Sequence, residues 1–289
     1  MQRTARAPAS SANLGPGFDT LAVALGLYIE VSVRLRPQGL LVHADGEGAD
    51  LPGGAAHLGA QVAAKVLGHN RFELRVSSQV PVARGLGSSA ALAVASAAAA
   101  GADDPFAYAV AVDGHPENAA ASAMGGLVAA AVIDGQPVAR RLTLDAGLAF
   151  VVVVPDRSLA TAEARRVLPV LVPREDAVFN LSRLGLLVAG LADHRQLVAA
   201  AGDDRLHQGP RSALFPEAPA LLEGLRMAGA LTSCWSGAGP SLLGICVASE
   251  AGALAGAARE LMARLLIAGT VVELAPDLNG VQVTEEERA

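Results

Sequence analysis

Pro81-Val82-Ala83-Arg84-Gly85-Leu86-Gly87-Ser88-Ser89-Ala90-Ala91 is the stretch on which the reading of this chain turns. The run Phe72 to Val80 before it alternates apolar and polar residues, the period of a half-buried strand. The run Ser88 to Ala100 after it is nearly all small residues, and alanine favours helix. Glycines between a strand and a helix let backbone N–H groups curl around an anion with no Cβ in the way. A helix N-terminus adds unpaired N–H donors and partial positive charge. Ser88 and Ser89 fall at the expected cap, where their hydroxyls reach a phosphate or a metal ion. Pro81 to Ala90 are therefore the candidate phosphate-binding residues.

Three local readings compete. Gly85-x-Gly87-x-x-Ala90 fits the dinucleotide fingerprint, but that fingerprint needs a second strand ending in an acid about 20 residues on. Here that region is the turn Gly101-Ala-Asp-Asp-Pro105. The P-loop pattern needs Gly-Lys-Ser/Thr, and no lysine stands in the loop. The third reading is an ordinary glycine turn with a serine cap. Lys65 is the only lysine of the chain and lies far from every motif, so phosphate binding here has to work without one.

Outward from the loop, Tyr28–Leu35, Phe150–Val154, Leu242–Val247 and Thr270–Leu274 read as strands. Leu159–Val167, Leu181–Leu191 and Ala218–Met227 read as helices. Strands and helices mix throughout, which predicts an α+β fold. A fresh buried strand begins after Gly147, so the expected domains are residues 1–146 and 147–289. The apolar runs Ser88–Ala100 and Asn118–Ile133 are Ala-rich, and Gly125-Gly126 interrupts the second; a membrane span needs about 20 strongly apolar residues. The start, Met1-Gln2-Arg3-Thr4, has no signal-peptide character.

With 289 residues, 52% hydrophobic and 17% charged, the chain can bury a substantial core. Aromatics make up only 3%, so that core must be largely Ala, Val and Leu. The formal charge of −6 lacks the basic face that a nucleic-acid backbone requires. Cys234 and Cys246 have no metal-site spacing and read as reduced thiols of a cytoplasmic protein.

The phosphate-loop pattern resembles that of the GHMP kinase superfamily. Pro8-Ala-Ser-Ser-Ala-Asn13-Leu-Gly-Pro-Gly-Phe-Asp19 resembles the first family motif in its homoserine kinase form, and Ser236-Gly237-Ala-Gly239-Pro240-Ser241 resembles the third. The resemblance spans most of the chain. It implies a two-domain fold, an N-terminal α+β nucleotide domain and a C-terminal ferredoxin-like α/β sandwich whose glycine loop returns to the active site. It implies ATP and Mg²⁺, a small-molecule alcohol as acceptor, no nucleic-acid or membrane partner, and leaves a homodimer open.

Residues outside the phosphate loop must choose the substrate. His115-Pro116-Glu117-Asn118, followed by Gly125-Gly126, resembles the His-x-Asp-Asn segment of homoserine kinases; Thr161 and Arg165 resemble a substrate-facing pair, and Arg211 a second substrate arginine. Homoserine is a zwitterion with a hydroxyl tail. Its carboxylate suits bidentate guanidinium from Arg165 and Arg211, and its ammonium suits Glu117, Asp19 and Asn13. The resemblance gives Asn13, Asp19 and Ser89 the catalytic roles. It places substrate against Asn13, Asp19, His115, Glu117, Asn118, Thr161, Arg165, Arg211 and Gly237, and the metal at Ser89 and Asp113. Relatives outside the homoserine branch often pair a catalytic Asp with a Lys, and no such pair stands here. Asp113 replaces a family glutamate and Glu117 a family aspartate, each a change of about 1.5 Å in reach. These departures bear on substrate and efficiency, and they admit another GHMP-type kinase or a weakly catalytic metabolite binder.

Overall fold

The computed structural model describes residues 2–286, so Met1 and positions 287–289 of the expected domains lie outside the described residues. The chain begins with a long antiparallel pair, β1 (Gln2–Asn13) and β2 (Gly17–Leu35), with register shifts at Pro8/Ala9 and Ala12/Asn13. The first sheet continues through β3 (Leu41–Gly46), β4 (Phe72–Ser78), β5 (Leu127–Ile133) and β6 (Gln136–Leu142). β2 is far longer than the Tyr28–Leu35 expected from alternation. Its first half carries the buried run Leu21-Ala-Val-Ala-Leu25, where no polar residue marks the period. The two halves have different neighbours: Leu21–Val23 pair with β5 and Ile29–Leu35 with β4.

Four helices cover this sheet: α1 (Leu58–Leu67), α2 (Ser88–Ala99), α3 (Pro105–Asp113) and α4 (Pro116–Met124). Ala90 to Ala99 of α2 are all buried, against α1, α3, α4, β1 and β2. Only small side chains let five elements approach one helix this closely. Asp104 caps α3, accepting from the Ala107 N–H at 3.1 Å, and Pro105 occupies the first turn.

The second sheet contains β7 (Leu148–Pro155), β8 (Thr232–Trp235), β9 (Leu242–Val247) and β10 (Gly269–Leu274), in the order β10-β7-β9-β8 with every neighbour antiparallel. Between β7 and β8 run α5 (Thr161–Arg166), α6 (Arg174–Ala192), α7 (Gln208–Arg211) and α8 (Ala218–Met227), and α9 (Ala251–Arg264) joins β9 to β10. This is the split βαβ arrangement of a ferredoxin-like sandwich. β7 is buried along its whole length. Phe150, Val152 and Val154 join a core shared with the first sheet and α6, while Ala149, Val151 and Val153 pack with α8 and α9. Alternation disappears from such a strand because both faces are covered.

The end of the chain departs from a division at 146/147. Pro276 bridges Leu25, and β11 (Gln282–Glu286) pairs with β1, so the last stretch lies in the first sheet. Among the described residues no helix is long and apolar enough to cross a membrane.

Candidate active site

The three glycine-bearing motifs are stitched together by backbone contacts. The Ser10 N–H donates to the Leu86 carbonyl (3.1 Å), the Gly237 N–H to Ala12 (2.9 Å) and the Ser241 N–H to Arg84 (3.3 Å). The Ser236 hydroxyl lies 2.7 Å from the Gly85 carbonyl and 2.9 Å from the Ser11 hydroxyl. Gly85 and Gly87 both have positive φ, +76° and +65°. A Cβ on Gly85 would strike the Ser236 carbonyl, and one on Gly87 the Ser10 hydroxyl. The glycines are thus required by the packing of the loop as well as by its backbone angles. Asn13, Leu14, Asp19 and Ala83 also take positive φ, unusual for residues with a side chain, and cluster around the same place.

The cap differs from the sequence expectation. Gly87, in the left-handed region, is the N-cap of α2, and Ser88 and Ser89 are its first helical residues with no side-chain cap bond. A serine caps from an extended backbone, which the Gly87 turn does not leave it. Both serines border two neighbouring cavities.

The first cavity has a volume of about 270 Å³. The phosphate loop from Val82 to Ser89, Arg84 excepted, forms one wall, with Asn13, Asp19 and Gly237 on another. Asp113, His115, Glu117 and Asn118, from the end of α3 and the start of α4, line it too, as do Thr161, Arg165 and Arg211. Three of the expected phosphate-loop residues fall outside the lining. Pro81 precedes the wall, Ala90 is buried in α2, and Arg84 turns away to donate to the carbonyls of Asp156 (2.6 Å) and Val82 (3.4 Å). Lys65, in the last turn of α1, lines neither cavity.

Several of the expected site residues hold partners of their own. The Asn13 amide makes two bonds: its Nδ2 donates to the Gly237 carbonyl (2.8 Å) and its Oδ1 accepts from the Asp19 N–H (3.0 Å), which leaves one Nδ2 hydrogen and one Oδ1 lone pair. Asn13 therefore clamps the first motif to the third while it lines the cavity. Arg165 forks onto Asp19, with contacts of 2.6 and 3.0 Å, and this hydrogen-bonded pair holds the guanidinium above its usual range. Glu117 is 2% exposed; burial pushes its carboxyl up, and its Oε1 accepts from the Asn118 amide at 3.1 Å. His115 Nδ1 lies 3.3 Å from Asp113 Oδ2, and that hydrogen bond raises the imidazole. Arg211 is 1% exposed, and burial, aided by the nearby Arg165 charge, lowers it to about 10, which leaves it cationic at neutral pH.

Four residues given no role by the sequence also shape the site, three of them inside the quoted motifs. Ser10 donates to Asn118 Oδ1 (2.9 Å), and Ser236 ties two loops. Phe18 stacks on His207 with ring centroids 5.1 Å apart, and lies 5.6 and 5.5 Å from the guanidinium carbons of Arg165 and Arg211. Phe18 stands inside the first motif, and His207 precedes Arg211 by four positions, a spacing that makes helical neighbours. The second cavity, about 200 Å³, adjoins through Val82, Ser88 and Ser89 and is mostly apolar, with Ile29, Leu51, Val76 and Leu92 in its walls. His57 lines it and is 4% exposed; burial depresses its imidazole.

A glycine cradle at a helix start, facing a polar pocket between an α+β unit and a ferredoxin-like sandwich, defines a GHMP-type small-molecule kinase. Residues 55–126 match the GHMP kinases N terminal domain. The homoserine kinase of Clavibacter michiganensis is 40% identical to this chain, across 98% of the chain and 95% of that protein. The homoserine kinase of Leifsonia xyli is 38% identical, across 96% and 90%. The crystal structure of homoserine kinase from Cytophaga hutchinsonii superposes with a TM-score of 0.87, at 26% identity, over 98% of this chain and 97% of that one. Mevalonate kinase of L. major shares the fold at a TM-score of 0.70 and 14% identity, covering 93% and 94%. The chain belongs to the homoserine kinase family.

Proposed function

We propose that this protein transfers the γ-phosphoryl group of ATP to the side-chain hydroxyl of L-homoserine, giving O-phospho-L-homoserine. One observation carries the reading: a single cavity joins the glycine cradle and free serine hydroxyls to two arginines and a buried glutamate. A phosphate donor and a zwitterionic alcohol need those groups side by side. The adjoining apolar cavity, with His57 in its wall, suits the flat adenine base. The backbone N–H groups from Gly85 to Ser89 and the dipole of α2 receive the phosphates. Arg211 takes the substrate carboxylate, Glu117 the ammonium, and Asp19, held in place by Arg165, orients the hydroxyl.

Phosphoryl transfer through a loose transition state rests on positioning and charge neutralisation more than on a strong base. An ion-paired Asp19 fits that demand: it accepts a hydrogen bond from the hydroxyl, and the proton leaves late, to a phosphate oxygen or water. Mg²⁺ requires hard oxygen donors, and the Ser89 hydroxyl and the Asp113 carboxylate border the same cavity. They would hold the ion, which neutralises charge on the phosphates when bound. We also propose that the two sheets are the centres of two domains divided at 146/147, with β11 returned to the first.

The test is Arg211→Ala, assayed by ADP release. A charge-assisted hydrogen bond contributes about 1.5–3 kcal/mol, so the homoserine KM should rise roughly 10- to 150-fold. The ATP KM should stay near that of the unaltered protein. Equal rises in both KM values, or faster turnover of another alcohol, would overturn the reading.

A further inference from the structure

We propose that His207 is a positioning residue that aims Arg211 at the substrate carboxylate, acting as a neutral hydrogen-bond acceptor fixed in one tautomer. The inference rests on the reading of Arg211 given above. His207 is the N-cap residue of α7, one helical turn before Arg211. Its Nε2 lies 2.8 Å from the Gly15 carbonyl, which can only accept, so Nε2 carries the proton. Nδ1 must then accept, and Arg211 Nη1 donates to it at 2.9 Å. Asp204 Oδ2 is 3.7 Å from Nε2, but the Asp204 carboxylate already accepts from the Asn180 amide and the N–H groups of Leu206, His207 and Gln208. The ring is fully buried, and Phe18 stacks on its face. Burial pushes the imidazole down to about 4, so it is neutral at physiological pH.

The donors of Arg211 can be counted. Nη1 has two hydrogens, and it meets His207 Nδ1 and the Gly237 carbonyl, the latter at 3.0 Å. Nε meets the Ala164 carbonyl at 3.4 Å. Nη2 alone has no partner among the described residues, and Arg211 borders the cavity. Three acceptors thus fix the guanidinium plane and leave one nitrogen, with both its hydrogens, for a ligand. None of the three is charged. A carboxylate in the place of His207 would hold the same geometry but neutralise Arg211 before an anion arrived, whereas imidazole leaves the full positive charge available. His207 does not itself border the cavity, so its effect on substrate passes through Arg211.

The experiment compares L-homoserine with 3-amino-1-propanol, the same amino alcohol without its carboxylate. A misplacement of about 1 Å can cost about 10²-fold, so His207→Leu should raise the homoserine KM by about 10- to 100-fold. It should leave kcat/KM for 3-amino-1-propanol unchanged. His207→Gln, which keeps both a donor and an acceptor, should restore most of the loss. Equal losses on the two substrates, or an unchanged homoserine KM, would overturn the proposal. If Arg211→Ala fails to distinguish the two substrates, the carboxylate reading of Arg211 falls, and this proposal with it. A measurement independent of variants is the ¹⁵N spectrum of His207 in the unaltered protein. It should show the neutral Nε2–H tautomer at pH 7, and either the Nδ1–H tautomer or a protonated ring would refute the role.

Discussion

Gly87→Ala should cripple nucleotide use through one added methyl group. Gly87 has φ +65° and ψ +27°, where an L side chain costs about 1–2 kcal/mol. The new Cβ would also strike the Ser10 hydroxyl and come to 3.0 Å from Asn118 Oδ1. Those two groups share a 2.9 Å hydrogen bond, and Ser10 is fully buried. Driving its hydroxyl away leaves a buried polar group without a partner, a further cost of about 1–3 kcal/mol. The combined loss of about 2–5 kcal/mol corresponds to a fall in Tm of roughly 3–8 °C for a chain of this size. The loop's alternative is to shift outward, which displaces the N–H groups expected to hold phosphate and costs about 10²-fold in kcat/KM for ATP. Gly68→Ala is the control. Gly68 has φ +73° at the C-cap of α1, and a Cβ there meets nothing within 4 Å. It should lose only the backbone cost of about 1–2 kcal/mol and keep normal turnover. Thermal melts and coupled ADP release on both variants read the two effects apart. If Gly87→Ala turns over ATP as well as Gly68→Ala does, the loop is not the phosphate cradle.

Two other predictions follow from charged groups. Asp113→Asn should remove most activity and Asp113→Glu should be tolerated, because the carboxylate charge is what a Mg²⁺ site needs; a fully active Asn variant, measured by ADP release, would place the metal carboxylate elsewhere. Asp145 accepts from the backbone N–H groups of His194 (2.9 Å) and Gly147 (2.8 Å) and from the His194 ring (2.7 Å), which lower its carboxyl to about 2 from 3.8. A depressed carboxylate stabilises the fold above its unfolded value and loses that contribution as pH falls through its folded value. Asp145→Asn should therefore lower Tm at pH 7, and the gap from the unaltered protein should narrow as pH falls from about 4 towards 2; a gap independent of pH would refute the assignment.

The sequence by itself determined whatever depends on neighbours along the chain. Ala218–Met227 and Leu242–Val247 have the bounds read from pattern, and a helix follows the glycine loop in the Ala-rich run where one was expected. Helix period, β-branched runs and glycine turns are local physics and leave local marks. So do the three motifs, which is why the fold and the segments carrying the candidate site were legible before any coordinates. Tertiary structure decided what those side chains do once assembled. It tied the Asn13 amide to a carbonyl 224 positions away and paired Arg165 with Asp19 across 146 positions. It turned Arg84 out of the cavity to reach Asp156, and returned β11 to the first sheet. It also set His207 beneath Phe18, beside a Gly15 carbonyl 192 positions away. None of these has a local signature, because a hydrogen bond depends on distances of about 3 Å that only the packed chain defines.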